Sequence, residues 1–339
     1  MSIEMNVMNI CDGNDKIIDT ISVDGSLLIF TKKTVLEVET ADSIDPQNID
    51  SSTKHSNKKI YDIGASNPYL ARCFLQFEKI INALKFEKNV NKHDLLNYIW
   101  GINKNLLDCE KAHYKIYKEV ISKRPRVDEL INSCKEKSLH ISNLPQIEDL
   151  ESSVRDFLLS SKKFLLNTYR ILSFFYTEDF DRVRNVDELL KLIKKDEDLE
   201  VNNSIVNMVK QDEGWLKIIM ESRNAIEHEE DEQKIIIKNF TLCPGNKFSD
   251  PSWRYILTKK RLGEQKEFSD IVVDMATYMQ NMLTFFEELL LLALKDSWDK
   301  NLPFIFYKKP EDKISKDCPM IYELSMDINP KKGLKVPNF

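Results

Sequence analysis

The chain has 339 residues, of which 42% are hydrophobic and 31% are charged. This composition permits a buried core and is not that of a disordered chain. The 49 basic residues are outnumbered by 55 acidic ones, giving a net charge of −6, so the overall balance does not indicate a nucleic-acid binder. Only 8 glycines are present, which argues against enzymes built on glycine-rich phosphate loops.

Three runs rich in β-branched residues predict strands near the N-terminus. They lie between residues 16 and 40, and the first leads into Asp24-Gly25, a dipeptide typical of tight turns. Residues 41–60 are rich in Ser, Asp, Asn and Lys, which predicts a linker. We therefore expect residues 1–60 to form a β-rich segment that consists of a small antiparallel meander and its linker.

From about residue 66 the apolar residues recur at helical spacing. Asn67 can cap a helix and Pro68 suits its first turn. The second of the expected helices ends near Arg124-Pro125, and the full set covers about 66–84, 91–122, 127–138, 147–176, 186–196, 203–229 and 266–297. Residues 234–258 contain two β-rich runs, which predict a hairpin insert. These elements define a helical domain over residues 61–300. The tail, 301–339, either docks as a strand or reaches a partner.

The most apolar stretch of the chain runs from Ile271 to Leu294. Charged and amide side chains interrupt it, which argues against a lipid-facing helix. The N-terminus has no basic segment followed by an apolar run, as a signal peptide would have. We therefore expect a cytoplasmic protein without membrane contact, in which this stretch is a buried helix.

Residues 222–228 read Ser-Arg-Asn-Ala-Ile-Glu-His and form the one constellation that carries chemistry. On a helix with about 100° per residue, apolar side chains gather on one face and polar ones on the other. The buried stripe is expected to consist of Trp215, Ile218, Ile219, Ser222, Ala225 and Ile226. The polar row is expected to consist of Lys217, Glu221, Asn224 and His228, with Arg223 on its flank.

This polar set is sufficient for metal-free RNA cleavage. A histidine can act as general base or acid on a ribose 2′-hydroxyl, and an arginine can stabilise the charge of a phosphorane-like transition state. An amide can orient either group. Alternatively, Arg223 and Glu227 lie four residues apart and form an ordinary surface ion pair on a solvated helix.

The segment Arg223-Asn224-x-x-x-His228 resembles the R-N-x-x-x-H form of the R-x(4–6)-H motif in HEPN domains. These are all-α domains of prokaryotic toxins, antiviral RNases and CRISPR-associated nucleases. The motif lies near the C-terminal end of a long predicted helix, with another long helix before it and an apolar helix after it, so the resemblance covers roughly residues 147–297.

The resemblance implies a metal-independent endoribonuclease that acts as a dimer, with the two motifs meeting at the interface. Arg223 would bind and polarise the phosphate, His228 would act on the 2′-hydroxyl, and Asn224 would take the supporting polar position. Lys217 is added as a candidate for substrate binding. Some toxin members carry a tyrosine two residues after the histidine, where a partner modifies them, but this chain has Glu230 there.

Together, the patterns predict a mainly α protein, a HEPN-like antiparallel helical bundle with a small N-terminal β meander and a β-hairpin insert. The predicted function is RNA cleavage in toxin or antiviral (abortive-infection) defence, without metal or cofactor. The expected partners are RNA, a second copy and a companion regulatory or sensor protein. The alternative is a catalytically silent helical module that dimerises or binds a partner, which the acidic residues after His228 and the β elements favour.

Overall fold

The computed structural model describes residues 15–87, 90–137, 143–195, 203–245, 247–299 and 301–326, with only the backbone described for 133–137, 203 and 326. The described residues divide into two compact units. The first unit contains residues up to 103 together with those from 295 onward, and the second contains residues 104–294.

The first unit contains a four-stranded antiparallel sheet in the order β1-β2-β3-β4. The strands are β1 (Ile17–Val23), β2 (Ser26–Thr31), β3 (Val35–Glu39) and β4 (Ser56–Tyr61). Asp24 and Gly25 connect β1 to β2 with φ angles of 55° and 76°. Two successive positive φ angles suit the tight turn that this dipeptide predicts, and the meander predicted over 16–40 is confirmed.

The fourth strand lies inside the segment that was predicted to be a linker. Its sequence, Ser-Asn-Lys-Lys-Ile-Tyr, lacks the apolar alternation of a half-buried strand. It pairs with β3 along one side, for example Val38 with Asn57. An edge strand of this kind depends on backbone hydrogen bonds, and its lysines discourage pairing with another sheet.

Helices and a second strand pair complete the first unit. Asn67 caps the first turn through its side chain, as predicted, and Gln76 accepts hydrogen bonds from the backbone N–H groups of Ile321 and Tyr322 at 2.7 Å each. The elements are α1 (Ala41–Ile44), α2 (Pro68–Leu70), a π-helical turn (Ala71–Leu75), α3 (Gln76–Ala83), and the antiparallel pair β11 (Phe304–Lys308) and β12 (Tyr322–Met326).

One long helix, α4 (Lys92–Lys137), replaces two of the predicted helices. It continues through Pro125, where the sequence predicted an end. A proline removes one backbone hydrogen bond from a helix. Arg124, Pro125 and Arg126 are exposed, so water can satisfy the carbonyl that loses its partner.

Three long helices and one short helix shape the second unit. The helices are α5 (Leu150–Arg170), α6 (Val186–Ile193), α7 (Asn203–Glu227) and α8 (Ile271–Ser297). Aromatic pairs join them at their buried faces, including Tyr169 with Phe285 and Trp215 with Phe285, both edge-to-face. Buried ring pairs of this geometry stabilise helix packing beyond the area that they bury.

The predicted hairpin insert over 234–258 is confirmed. Its two long strands pair antiparallel, with Ile237 opposite Trp253. The strands of this region are β5 (Gln233–Lys238), β6 (Thr241–Cys243), β7 (Lys247–Ser249), β8 (Ser252–Leu257), β9 (Gly263–Glu264) and β10 (Ser269–Asp270). The last two strands pair with β8, so the insert is a small sheet rather than a simple hairpin.

The predicted mainly α fold, a HEPN-like antiparallel helical bundle, is wrong. The structure is 53% helical and 20% strand and contains four separate sheets within its described part, so it is mixed α/β. The strand content exceeds the prediction because of pairings such as β3 with β4 and β11 with β12. These pairings include segments whose sequences lack the alternation of apolar and polar residues that predicts a strand.

None of the helices in the described part of the chain combines the length and the apolar composition that crossing a bilayer requires.

Candidate functional site

The candidate residues lie at the C-terminal end of α7. Ile219, Ser222 and Ala225 of the predicted stripe are buried, and Leu216 and Met220 are buried as well. Leu216 and Met220 lie outside the predicted stripe, so neighbouring elements also cover the helix beside the polar row. Lys217, Glu221 and Asn224 of that row are accordingly only partly exposed. The backbone N–H of His228 donates to the carbonyl of Asn224 at 2.9 Å, so helical hydrogen bonding extends to the histidine.

Asn224 is the centre of a polar cluster. Its Oδ1 accepts a hydrogen bond from Lys162 Nζ at 2.8 Å and a longer one from Arg223 Nη1 at 3.5 Å. Its Nδ2 donates to Glu221 Oε2 at 3.1 Å. An amide that accepts from two cations and donates to a carboxylate is held in a single orientation.

Arg223 is also joined to Glu227, with 2.5 Å between Nη1 and Oε2. This is the pairing at four-residue spacing that the alternative interpretation named. Both side chains are about one quarter exposed, 26% each. A ligand that binds the guanidinium must therefore compete with Glu227, or share Arg223 with it.

Lys162 is a site residue that sequence reasoning missed. It lies on α5 and is half-buried, and burial is the main cause that lowers its pKa. The nearby positive charges of Arg223 and Lys260 lower that pKa further, while Glu221 and Glu227 oppose the shift. The local sequence around Lys162 holds no signal for this role, because 62 residues separate it from Asn224.

His228 follows the last helical residue and is exposed. It lies four residues after Asn224, so the two side chains share one face of the helix. Its imidazole forms no hydrogen bond with the residues that the structure describes. The ring is thus accessible to a ligand from solvent.

Lys217 lies one turn before Glu221 and is held by two carboxylates, Asp187 and Glu213, each at 2.7 Å. Hydrogen bonds to both carboxylates raise the pKa of Lys217. Lys217 lines an open cleft of about 420 Å³, which also borders Glu221 and the basic residues Lys260 and Arg261. The structure therefore does not bring Lys217 into the Asn224 cluster, but it places both around Glu221.

Two basic residues that follow β8 pair with acidic residues on either side of His228 in the sequence. Lys259 Nζ lies 2.6 Å from Glu230 Oε2, and Lys260 Nζ lies 4.0 Å from Glu221 Oε2. Acidic residues without such partners would repel a polyanion, so the site needs these pairs if it is to bind one. The site has acids and bases in close balance rather than a bare acidic edge.

Among the described residues, no group of three or more His, Cys, Asp and Glu side chains is arranged to hold a metal ion. The cluster instead offers guanidinium, ammonium and amide groups, and the exposed His228 follows Asn224 by four residues. Such donors bind oxyanions, and arginine in particular suits phosphate.

Comparison with known proteins gave no relative: no family model, no curated protein and no solved structure matches the chain. The resemblance to HEPN domains therefore depends on the motif residues alone.

Proposed function

We propose that the chain is a metal-independent endoribonuclease that acts through Arg223, Asn224 and His228. One observation carries the proposal: Lys162 and Arg223 both direct their donors at Asn224, on the same helix face as the exposed imidazole of His228. Two cations beside an accessible general acid or base are what a phosphodiester cleaved by its own 2′-hydroxyl needs. The proposal depends on these side chains and not on a HEPN-like bundle.

In this mechanism, Arg223 and Lys162 bind the non-bridging oxygens of one phosphate. His228 accepts the proton of the 2′-hydroxyl as the 2′-oxygen attacks phosphorus. The bond from phosphorus to the 5′-oxygen breaks, so the products are a 2′,3′-cyclic phosphate and a 5′-hydroxyl end. Asn224 keeps the two cations in position, since its carbonyl oxygen accepts from both.

The 5′-oxygen needs a proton as it leaves, and one imidazole already holds the proton of the 2′-hydroxyl. We propose that a second copy of the chain supplies this proton through its own histidine, in a symmetric dimer. The partners are then RNA, the second copy and a companion regulatory or sensor protein. The setting that we propose is toxin or antiviral defence in the cytoplasm.

The second candidate is a catalytically silent module that dimerises or binds a partner protein. The ion pair between Arg223 and Glu227 favours it, because a guanidinium already held by a carboxylate has less to offer a phosphate. The two candidates differ in one respect that can be measured, which is cleavage of RNA by the purified protein.

The test is cleavage of end-labelled RNA in EDTA by the wild type and by His228→Ala. We expect the substitution to lower the cleavage rate by about 100-fold or more, the usual contribution of a general acid or base. Circular dichroism should be unchanged, since the side chain is exposed.

His93→Ala is the matched control, because it removes another exposed histidine of the chain. It should cleave like the wild type. Equal cleavage by His228→Ala and the wild type would reject the mechanism. Absence of cleavage by the wild-type dimer on any RNA would leave the silent module.

A further inference from the structure

A separate cavity lies on the other side of α7, next to Ser222. It has a volume of about 220 Å³, and α5, α7, β5, β8 and α8 contribute to its wall. Three aromatic side chains line it, Trp253, Tyr255 and Tyr278, and we call them the aromatic cage. Ser222 and Asn224 point about 200° apart on the helix, so this cavity is distinct from the polar cluster.

The aromatic cage combines side chains of a strand and a helix. Trp253 and Tyr255 are two residues apart on β8, so both point to the same face of the sheet. On β5, Ile235 lies opposite Tyr255 and lines the same cavity. Tyr278 comes to this face from α8, with its ring centroid 6.4 Å from that of Trp253 and the two ring planes inclined at 60°. The three side chains therefore surround one space between the sheet and the helix.

A carboxylate lies beside the cage. Asp274 is one turn before Tyr278 on α8 and lines the cavity. Its Oδ2 accepts from Trp253 Nε1 at 2.6 Å and from the hydroxyl of Ser269, and no described residue donates to Oδ1. Burial is the main cause that raises the pKa of the Tyr278 hydroxyl, and the charge of Asp274 adds to it. The carboxylate is thus close to two side chains of the cage and has one oxygen left for a ligand.

The charge of Asp274 has no cationic partner in the part of the chain that the structure describes. Alternation along β8 turns Arg254 to the opposite face of the sheet, where its guanidinium lies over Phe268 and Nη1 donates to Glu264 at 3.0 Å. Lys238 lies over the same ring, 3.8 Å from its centroid. The first turn of α8 offers Asp274 only the partial positive charge of the helix dipole. A cationic ligand would supply the missing charge.

The walls and the size of the cavity limit the kind of cation. Aromatic rings attract a cation within about 6 Å of the ring centroid, and centroids 6.4 Å apart let one cation lie within that reach of both Trp253 and Tyr278. An ammonium group with three hydrogens needs three acceptors, whereas a methylated one needs fewer or none. An apolar cavity of about 150 Å³ accommodates benzene, and pockets for drug-sized molecules begin near 300 Å³. A volume of about 220 Å³ therefore suits a small organic cation.

We propose that this cavity binds a small methylated ammonium compound. The methylated nitrogen lies against the aromatic cage, and the carboxylate of Asp274 balances its charge. Ser222 and Gln265 also line the cavity and offer hydroxyl and amide groups to the rest of the molecule. The assignment is independent of the proposed ribonuclease activity.

The test is titration of the full-length protein with three small probes at constant ionic strength, followed by isothermal calorimetry. Choline carries a trimethylammonium group. Dimethylbutanol has the same shape but a neutral carbon in place of the nitrogen, and ethanolamine keeps the charge without the methyl groups. We expect choline to bind saturably and at least about tenfold more tightly than either of the other two, as the attraction of a cation to aromatic faces predicts.

Asp274→Asn removes the charge and keeps an acceptor oxygen for Trp253 and Ser269. It should weaken choline binding by about tenfold or more and leave dimethylbutanol binding unchanged. Asp270→Asn is the matched control. It removes the same charge from the residue before α8, which accepts from the backbone N–H groups of Val272 and Val273 and does not line the cavity. Since asparagine caps a helix equally well, this variant should bind all three probes like the wild type.

Three results would overturn the proposal: no saturable binding of choline, equal affinity for choline and dimethylbutanol, or an equal loss for both probes in Asp274→Asn. Tighter binding of ethanolamine than of choline would overturn the assignment to a methylated group. Tighter binding of a peptide with trimethyllysine than of choline would overturn the assignment to a small molecule. If Asp274→Asn does not fold, Tyr278→Leu takes its place, because it removes one ring of the cage. Unchanged choline affinity in Tyr278→Leu refutes the assignment.

Discussion

The side of α7 that carries Asn224 differs from the side that carries Ser222 in how charge is partnered. At the first, Arg223 and Lys217 are held by carboxylates within 2.7 Å. At the second, the carboxylate of Asp274 accepts from two neutral donors, Trp253 Nε1 at 2.6 Å and the hydroxyl of Ser269. The first side pairs charge with charge in partly exposed positions, whereas the second pairs one carboxylate with neutral donors, one of them on the buried ring of Trp253.

The partners that a charged group already has determine whether a ligand can bind it. A phosphate at the polar cluster has to displace or share the existing partners of Arg223, so binding there is a competition. On the Ser222 side, the hydrogen bonds of Asp274 hold Trp253 and Ser269 in position. The polar cluster is therefore suited to conditional binding, whereas the Ser222 side depends on its hydrogen bonds for stability.

The largest stability effect should come from the side of α7 that carries Ser222. Asp274→Ala leaves the N–H of Trp253 and the hydroxyl of Ser269 without their acceptor, and Trp253 is only 6% exposed. We expect a loss of about 2–3 kcal/mol in the free energy of unfolding. Urea denaturation followed by tryptophan fluorescence measures it.

Asp187→Ala is the matched change on the polar side. It removes an aspartate that pairs with Lys217, but the side chain of Asp187 is 72% exposed. The expected loss is within about 0.5 kcal/mol, as for other surface pairs. A loss as large as that of Asp274→Ala would mean that the two sides do not differ in how far they depend on their charges.

The competition at the polar cluster can be weakened by Glu227→Gln. The substitution removes the carboxylate that holds Arg223 and frees the guanidinium for phosphate. Such ion pairs are worth a few tenths of a kcal/mol, so kcat/KM for RNA cleavage should rise by about twofold. Steady-state cleavage of a fluorogenic RNA measures the change.

Glu229→Gln provides the control, because it removes the same charge two residues further along the chain. It should change kcat/KM by less than Glu227→Gln does. If cleavage is lost in Glu227→Gln, then Glu227 positions Arg223 for the reaction and does not compete with the substrate.

The strands of the first unit show which structural features the sequence can predict. Alternating β-branched residues and Asp24-Gly25 predicted β1 to β3, because their side chains pack and their turn is local. The polar strand β4 was taken for a linker, since only its backbone pairing with β3 makes it a strand. The prediction of a mainly α bundle was wrong because it missed strands of this kind, which form through backbone pairing with distant segments.

The candidate site divides in the same way. Arg223, Asn224 and His228 lie close together in the sequence, so helical geometry predicted their shared position. Lys162 reaches Asn224 across 62 residues, and no local pattern carries that information. A hydrogen bond likewise joins β8 to α8, and only the folded chain brings Asp274 next to Trp253.

The smallest expected effect is a pH dependence that measures how enclosed the polar cluster is. Burial and the charge of Arg223 lower the pKa of Lys162, whereas in the unfolded chain a lysine titrates near about 10.4. Between these two values the unfolded state binds more protons, so stability from this group rises with pH.

The stability of the wild type relative to Lys162→Met should therefore improve as the pH is raised from about 8 towards 10.4, as followed by urea denaturation. Lys163→Met removes the adjacent, exposed lysine and controls for the loss of one positive charge. If the difference between wild type and Lys162→Met stays level across this range, Lys162 is hydrated in the folded state. The polar side of α7 would then be open surface rather than a partly buried cluster, and the two sides of α7 would differ in solvent access alone.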